Sequence, residues 1–134
     1  MMTQSTFESF GFKKEILDGI RDAGFKVPSP IQEQVMPLIL KGKDVIAQSH
    51  TGTGKTAAFG LPIMNNMQKN IGIELLVITP TRELAAQISD EIFRLGKYTG
   101  IRTGTILGGH SYSRQLQILK NGVQVLAATP GRLL

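Results

Sequence analysis

The chain has 134 residues, 41% of them hydrophobic and 19% charged, which is enough apolar material for one buried core and too much for a disordered tail. Fifteen Lys plus Arg against ten Asp plus Glu give a formal charge of +5, a balance that favours phosphate-bearing partners. With no cysteine and only two histidines, disulfides, thiolate zinc sites and cysteine nucleophiles are excluded.

The opening Met1-Met2-Thr3-Gln4-Ser5 has no basic or apolar region of a secretion signal, and no apolar run approaches the roughly 18 residues of a membrane helix. A soluble, cytoplasmic protein without a membrane partner is expected. Ile16, Leu17, Ile20 and Ala23 recur at helical spacing, and Gly24 closes that helix. A second helix starts at Ser29-Pro30 and is expected to end or kink at Pro37. Residues 44–48 read as a strand, and residues 55 to about 68 as the helix after the next loop. Leu75-Leu76-Val77-Ile78 is a continuous apolar run, the pattern of a strand covered on both faces in a parallel sheet, and Pro80 stops it. Leu84, Ile88, Ile92 and Leu95 then recur at helical spacing through about Tyr98. A strand over 103–107, a helix over 113–121 followed by Gly122, and a strand over 123–128 complete the alternation. No repeat or linker interrupts it, so the class is α/β, one globular unit with a mainly parallel sheet flanked by helices.

Between the 44–48 strand and its following helix stands Ala47-Gln48-Ser49-His50-Thr51-Gly52-Thr53-Gly54-Lys55-Thr56. Gly52 and Gly54 let the backbone turn tightly, so that successive N–H groups point at one anion at the positive end of the helix. Lys55 would then reach the terminal phosphates, and Thr56 the magnesium that accompanies them. The strict pattern G-x-x-x-x-G-K-[ST] has a glycine where this chain has Ser49, so the string alone is also compatible with a plain glycine-rich turn. Its strand-loop-helix setting favours nucleotide binding.

Upstream, Phe25-Lys26-Val27-Pro28-Ser29-Pro30-Ile31-Gln32 has a purely structural reading: Ser29 is an N-cap, Pro30 the first helical residue, and Gln32 the partner in a capping box. Sequence physics alone prefers it. The functional reading gives Gln32's amide an adenine edge and stacks Phe25 on the base, and a Gln32→Glu change is expected to keep the box while removing base reading.

These residues, the loop and three later strings occur together in the order of one family. The chain resembles the N-terminal part of a DEAD-box ATP-dependent RNA helicase. Gly24-Phe25-Lys26-Val27-Pro28-Ser29-Pro30-Ile31-Gln32 resembles its Q motif, within about residues 5–33, with Phe7 in the place of the isolated upstream aromatic. Residues 47–56 resemble its motif I, where a small residue at the position of Ser49 is normal. Pro80-Thr81-Arg82-Glu83-Leu84-Ala85 is similar to motif Ia, Gly108-Gly109 to the GG doublet, and Thr129-Pro130-Gly131-Arg132 to motif Ib. The resemblance implies a RecA-like P-loop NTPase domain that uses ATP and Mg2+. It also implies adenine contacts from Phe7, Phe25 and Gln32, phosphate contacts from Thr51, Gly52, Thr53, Gly54, Lys55 and Thr56, and a catalytic role for Lys55. The implied metal contact is Thr56. RNA would be held through its backbone by Pro80, Thr81, Arg82, Gly108, Gly109, Thr129, Pro130, Gly131 and Arg132.

Each RNA string also has a structural reading. Thr81 can cap the helix beginning at Arg82, and the Gly-Gly and Thr-Pro-Gly strings can be bare turns. In the functional reading all three follow the carboxyl ends of strands, where open α/β sheets bind ligands. His50 and His110 are expected to be solvated loop residues, and Ile63, Met64 and Met67 to belong to the core. The string Asp-Glu-Ala-Asp, which in the family holds magnesium and positions water, does not occur within these 134 residues, nor does a second RecA-like domain, the implied partner of this half. The expectation is a piece of a helicase core that binds nucleotide without turning it over and exposes an unpaired strand edge. Another P-loop NTPase, or a non-catalytic nucleotide- or RNA-binding module, is the alternative.

Overall fold

The computed structural model describes residues 6–48, 54–68, 72–107 and 112–130. Its contacts group into two compact units, one of residues 1–67 with 94–99, the other of residues 68–93 with 100–134.

The first unit is helical. A short 3-10 helix, Phe7–Phe10, is capped by Thr6, whose hydroxyl accepts from the Ser9 N–H over 3.3 Å. Helix α1 (Lys14–Asp22) buries Ile16 and Ile20, and ends where Gly24, at φ +82°, lets the Phe25 N–H reach back to the Ile20 carbonyl over 3.2 Å. Helix α2 (Pro30–Leu40) opens on the expected capping box: the Ser29 hydroxyl accepts from the Gln32 N–H, and Gln32 Oε1 from the Ser29 N–H. It does not stop at Pro37. The missing N–H there forfeits only the bond to the Glu33 carbonyl, which sits in the exposed first turn where water can replace it. Helix α3 (Lys55–Asn66) is two residues shorter than expected and is held at its end by Asn65, whose Oδ1 accepts from the Lys13 N–H over 2.7 Å. Helices α2 and α3 pack together over a core that includes Ile16, Met36, Leu61 and, as expected, Met64 and Met67; Ile63 is half-buried.

The strand expected over 44–48 does not form; residues 43–48 make no ladder and Ile46 is fully exposed. An apolar, β-branched run gives strand propensity, but a strand needs a neighbouring edge, and no described segment offers one here.

The second unit holds a sheet of three parallel strands, β1 (Leu75–Ile78), β2 (Thr103–Ile106) and β3 (Val125–Ala128), in the order β1-β3-β2. Leu75 and Thr103 flank Val125, and Ile78 and Ile106 flank Ala128. Helix α4 (Arg82–Leu95) packs through Ala85 on Val77, Ala127 and Leu107. The opposite face, Ile106, Leu126 and Ala128, is covered by Val123 and by Ile118 of α5 (Tyr112–Asn121). Central β3 is buried throughout, but β1 is not covered on both faces as expected: Leu76 and Ile78 are 46% and 55% exposed. Its apolar run belongs to an edge that, among the described residues, pairs only with β3. On α4 the buried face is Ala85, Ser89, Ile92 and Leu95 rather than one starting at Leu84, which stays exposed. No described helix is long and apolar enough to cross a membrane.

Candidate functional site

In the first unit four of the residues expected at a nucleotide, Gln32, Gly54, Lys55 and Thr56, meet at the start of α3. Gly54 is its N-cap, left-handed at φ +83°, and no side chain of the described residues caps the helix. Among the described residues the first-turn N–H groups at this positive end therefore have no side-chain acceptor, and Lys55 is exposed and Thr56 half-buried beside them. Thr51, Gly52 and Thr53 lie outside the described residues.

Gln32 is buried, 3% exposed, and its Nε2 donates to the Gly54 carbonyl over 3.2 Å across 22 positions. A Cβ on Gly54 would lie 2.3 Å from that nitrogen, so glycine is required there by both backbone angle and contact. An amide carries two N–H donors and two oxygen lone pairs. The capping box takes one lone pair and Gly54 takes one N–H, so one N–H and one lone pair have no partner among the described residues. The structural reading of Gln32 is thus observed directly. The expected Gln32→Glu control changes meaning, because a carboxylate would keep the box but set an oxygen against the Gly54 carbonyl.

Phe25, 38% exposed, stacks on Phe7 with ring centres 6.3 Å apart and planes at 26°. Phe7 is 2% exposed, so Phe25 is the ring with a face to offer and Phe7 its support. A cleft of about 250 Å³ opens beside the pair, lined also by Leu17, Ile20, Arg21 and Lys26. Sequence reading missed the Gln32–Gly54 bond because nothing in the local pattern pairs residues 22 positions apart.

In the second unit the three strands are parallel, so their carboxyl ends meet at one edge. Thr79-Pro80-Thr81-Arg82 leaves β1 there, Leu107 leaves β2, and Thr129-Pro130 leaves β3. The Thr79 N–H donates to the Ala128 carbonyl over 2.9 Å and the Thr129 N–H to Ile106 over 3.1 Å, which carries the ladder to the start of the loops. Thr81 accepts from the Leu84 N–H over 3.2 Å and caps α4, its structural reading. Pro80, Thr81, Arg82 and Pro130 are exposed and Thr129 half-buried. Gly108, Gly109, Gly131 and Arg132 lie outside the described residues, as do His50 and His110. Among the described residues no cluster of three His, Asp or Glu could hold a metal by itself.

The family model for the DEAD/DEAH box helicase matches residues 29–134. The DEAD-box ATP-dependent RNA helicase RhpA of Helicobacter pylori (strain B128) is 57% identical over 129 residues, covering 96% of this chain and 26% of that protein. The ATP-dependent RNA helicase CshA of Limosilactobacillus reuteri is 48% identical over 128 residues, 95% of this chain and 26% of its own length. The crystal structure of a DEAD box protein from the hyperthermophile Methanococcus jannaschii superposes with a TM-score of 0.91 at 39% identity, covering 96% of this chain and 36% of that one. The chain spans about a quarter of the length of the relatives it matches.

Proposed function

The chain belongs to the DEAD/DEAH box helicase family, and from that premise we propose that it is the ATP- and RNA-binding half of an ATP-dependent RNA helicase core. The observation that carries the proposal is the start of α3 at left-handed Gly54, uncapped by any side chain among the described residues, with Lys55 exposed and Gln32 hydrogen-bonded to the same glycine. Phosphates fit those N–H groups and Lys55. Adenine fits the donor and acceptor left on Gln32, with Phe25 as stacking face and Phe7 behind it. Magnesium fits Thr56 only in company with phosphate oxygens, since no described acidic cluster could hold it. In a complete core it would neutralise charge on the phosphates.

RNA binds along the carboxyl edge of the sheet, through Pro80, Thr81, Arg82, Thr129 and Pro130 together with Gly108, Gly109, Gly131 and Arg132, which follow β2 and β3 in the sequence. Contacts of this kind address the sugar-phosphate backbone and carry no base information. A second RecA-like domain of the parent chain completes the cleft, and the whole acts on RNA in the cytoplasm, coupling ATP hydrolysis to local duplex separation. The 134 residues themselves bind without hydrolysing, because water attack needs a positioning acid that Lys55 and Thr56 do not supply.

The test is titration of a fluorescent ADP into wild type and Lys55→Ala, with ATP and GTP as competitors, and of labelled poly-uridine at several salt concentrations. Expected are loss of nucleotide binding in Lys55→Ala, preference for ATP over GTP, and RNA affinity that falls as salt rises. No nucleotide binding by the wild type, or binding indifferent to Lys55, overturns the reading; phosphate release from ATP and RNA by the wild type overturns the claim of inactivity.

A further inference from the structure

Away from the nucleotide and RNA residues, one polar cluster joins distant parts of the first unit. Tyr98 Oη donates to Asp22 Oδ2 over 2.6 Å across 76 positions, and Lys97 Nζ pairs with the same oxygen while lying 5.1 Å from the centre of the Tyr98 ring. One carboxylate oxygen at the end of α1 thus takes two donors from consecutive residues just past the end of α4. The backbones also meet: a Cβ on Gly19 would lie 1.8 Å from the Leu95 carbonyl oxygen. The last turn of α1 is therefore held twice, at Gly19 by main-chain contact and at Asp22 by side chains. The Lys97 hydrogen bond keeps Asp22 below the usual carboxylate range, while Asp22 keeps Lys97 and Tyr98 above theirs, so all three hold these charge states through neutral pH.

Exposed ion pairs contribute little to stability, so stability is a weak reason for this arrangement. Its position gives a better one. From Asp22 the chain reaches Phe25 through Ala23 and Gly24 alone. That passage is fixed by Gly24 N–H to Arg21 carbonyl at 3.0 Å, Phe25 N–H to Ile20 carbonyl at 3.2 Å, and Gly24 at φ +82°. Whatever fixes Asp22 fixes where the Phe25 backbone leaves the helix, and hence how its ring lies on Phe7.

We propose that Tyr98, Lys97 and Asp22 form a clamp that orients the Phe25 ring, making them positioning residues for recognition of the nucleotide base. This rests on the nucleotide reading above. The clamp contributes nothing at the phosphates, which gives a clean separation. Inorganic tripolyphosphate presents phosphates without a base, and ADP presents both.

The experiment is calorimetric titration of ADP and of tripolyphosphate into wild type, Tyr98→Phe and Asp22→Asn. Tyr98→Phe removes one hydrogen bond and is expected to weaken ADP about threefold while leaving tripolyphosphate unchanged. Asp22→Asn keeps an acceptor for Tyr98 but loses the charge facing Lys97, and is expected to weaken ADP by less. Unchanged ADP affinity in both variants overturns the inference, as does parallel weakening of both ligands or failure of both variants to fold, since each would make the cluster a structural tie. If one variant alone fails to fold by circular dichroism, the other decides. Wild-type chain that binds neither ligand, or binds ADP no more tightly than GDP, overturns the nucleotide reading itself, and the clamp's role with it.

Discussion

The two units reach their functional geometry by different means. In the first, helices are set by side chains that cross long stretches of sequence to reach main chain or one another: Gln32 to Gly54, Asn65 to Lys13, Asn66 to Leu40, Tyr98 to Asp22. In the second, a parallel ladder does the positioning, and the loops at its carboxyl edge inherit their places from backbone register. The nucleotide site proposed for the first unit would depend on particular side chains and close backbone approaches. The RNA edge proposed for the second unit would depend on main chain, and tolerate side-chain change better.

Paired glycine substitutions offer the sharpest way to break this contrast. Gly19→Ala drives a Cβ to 1.8 Å from the Leu95 carbonyl oxygen, which only a shift of a whole helix could relieve. Gly104→Ala in β2 meets the Ile118 Cγ2 at 2.7 Å, a side-chain methyl rather than main chain, though one that its β-branched χ1 in α5 holds stiffly. Overpacking costs about 1–3 kcal/mol. Gly19→Ala is expected at the top of that range or beyond it and Gly104→Ala lower within it, read by urea unfolding followed by circular dichroism. Equal costs would show that the ladder is as intolerant as the helix packing.

The helix caps give a smaller effect. Gln32→Ala removes both the Ser29 acceptor and the Gly54 donor, whereas Thr81→Ala removes a single cap bond at the start of α4. A lost N-cap costs about 0.5–2 kcal/mol, with Thr81→Ala expected near the middle and Gln32→Ala above it. The two should part further in function, Gln32→Ala reducing the preference for ATP over GTP while Thr81→Ala leaves it unchanged. If Thr81→Ala alters nucleotide preference, the division of labour between the units is wrong.

How much of this was legible in the sequence follows the same divide. The elements of the second unit, and the placement of its loops after strand ends, could be read from apolar runs and stop signals, because a parallel ladder is written in short local patterns. The capping box at Ser29 and Gln32 was legible for the same reason, its partners being three positions apart. What could not be read depends on distant partners. The strand at 44–48 has the right residues but no described neighbour, Phe7 supports Phe25 rather than offering a face of its own, and β1 lies at an edge although its composition resembles a buried strand. The bond from Gln32 to Gly54 and the tie from Asp22 to Tyr98 have no local signature at all. Five strings in family order carried the family, and no single one of them did.

The smallest expected effect is a pH response, and it sharpens the comparison because Asp22, Lys97 and Tyr98 all belong to the first unit. Asp22 has a lowered pKa when folded, chiefly through the Lys97 hydrogen bond, so its stabilising contribution is complete above the unfolded carboxylate value and is lost as pH falls through the lowered one. Lys97 and Tyr98 have raised values through their hydrogen bonds to Asp22, so their contribution is complete below their ordinary values and is lost as pH rises through the raised ones. The difference in Tm between wild type and Asp22→Asn should therefore be constant across neutral pH and shrink at both ends, vanishing in acid as the protonated carboxyl comes to resemble the amide. Because the side chains are well exposed, added salt should reduce the plateau. A difference that persists undiminished below the carboxylate range would mean that Asp22 acts through its shape and its bond to Tyr98 rather than through charge, and Lys97 would drop out of the clamp while Tyr98 remained.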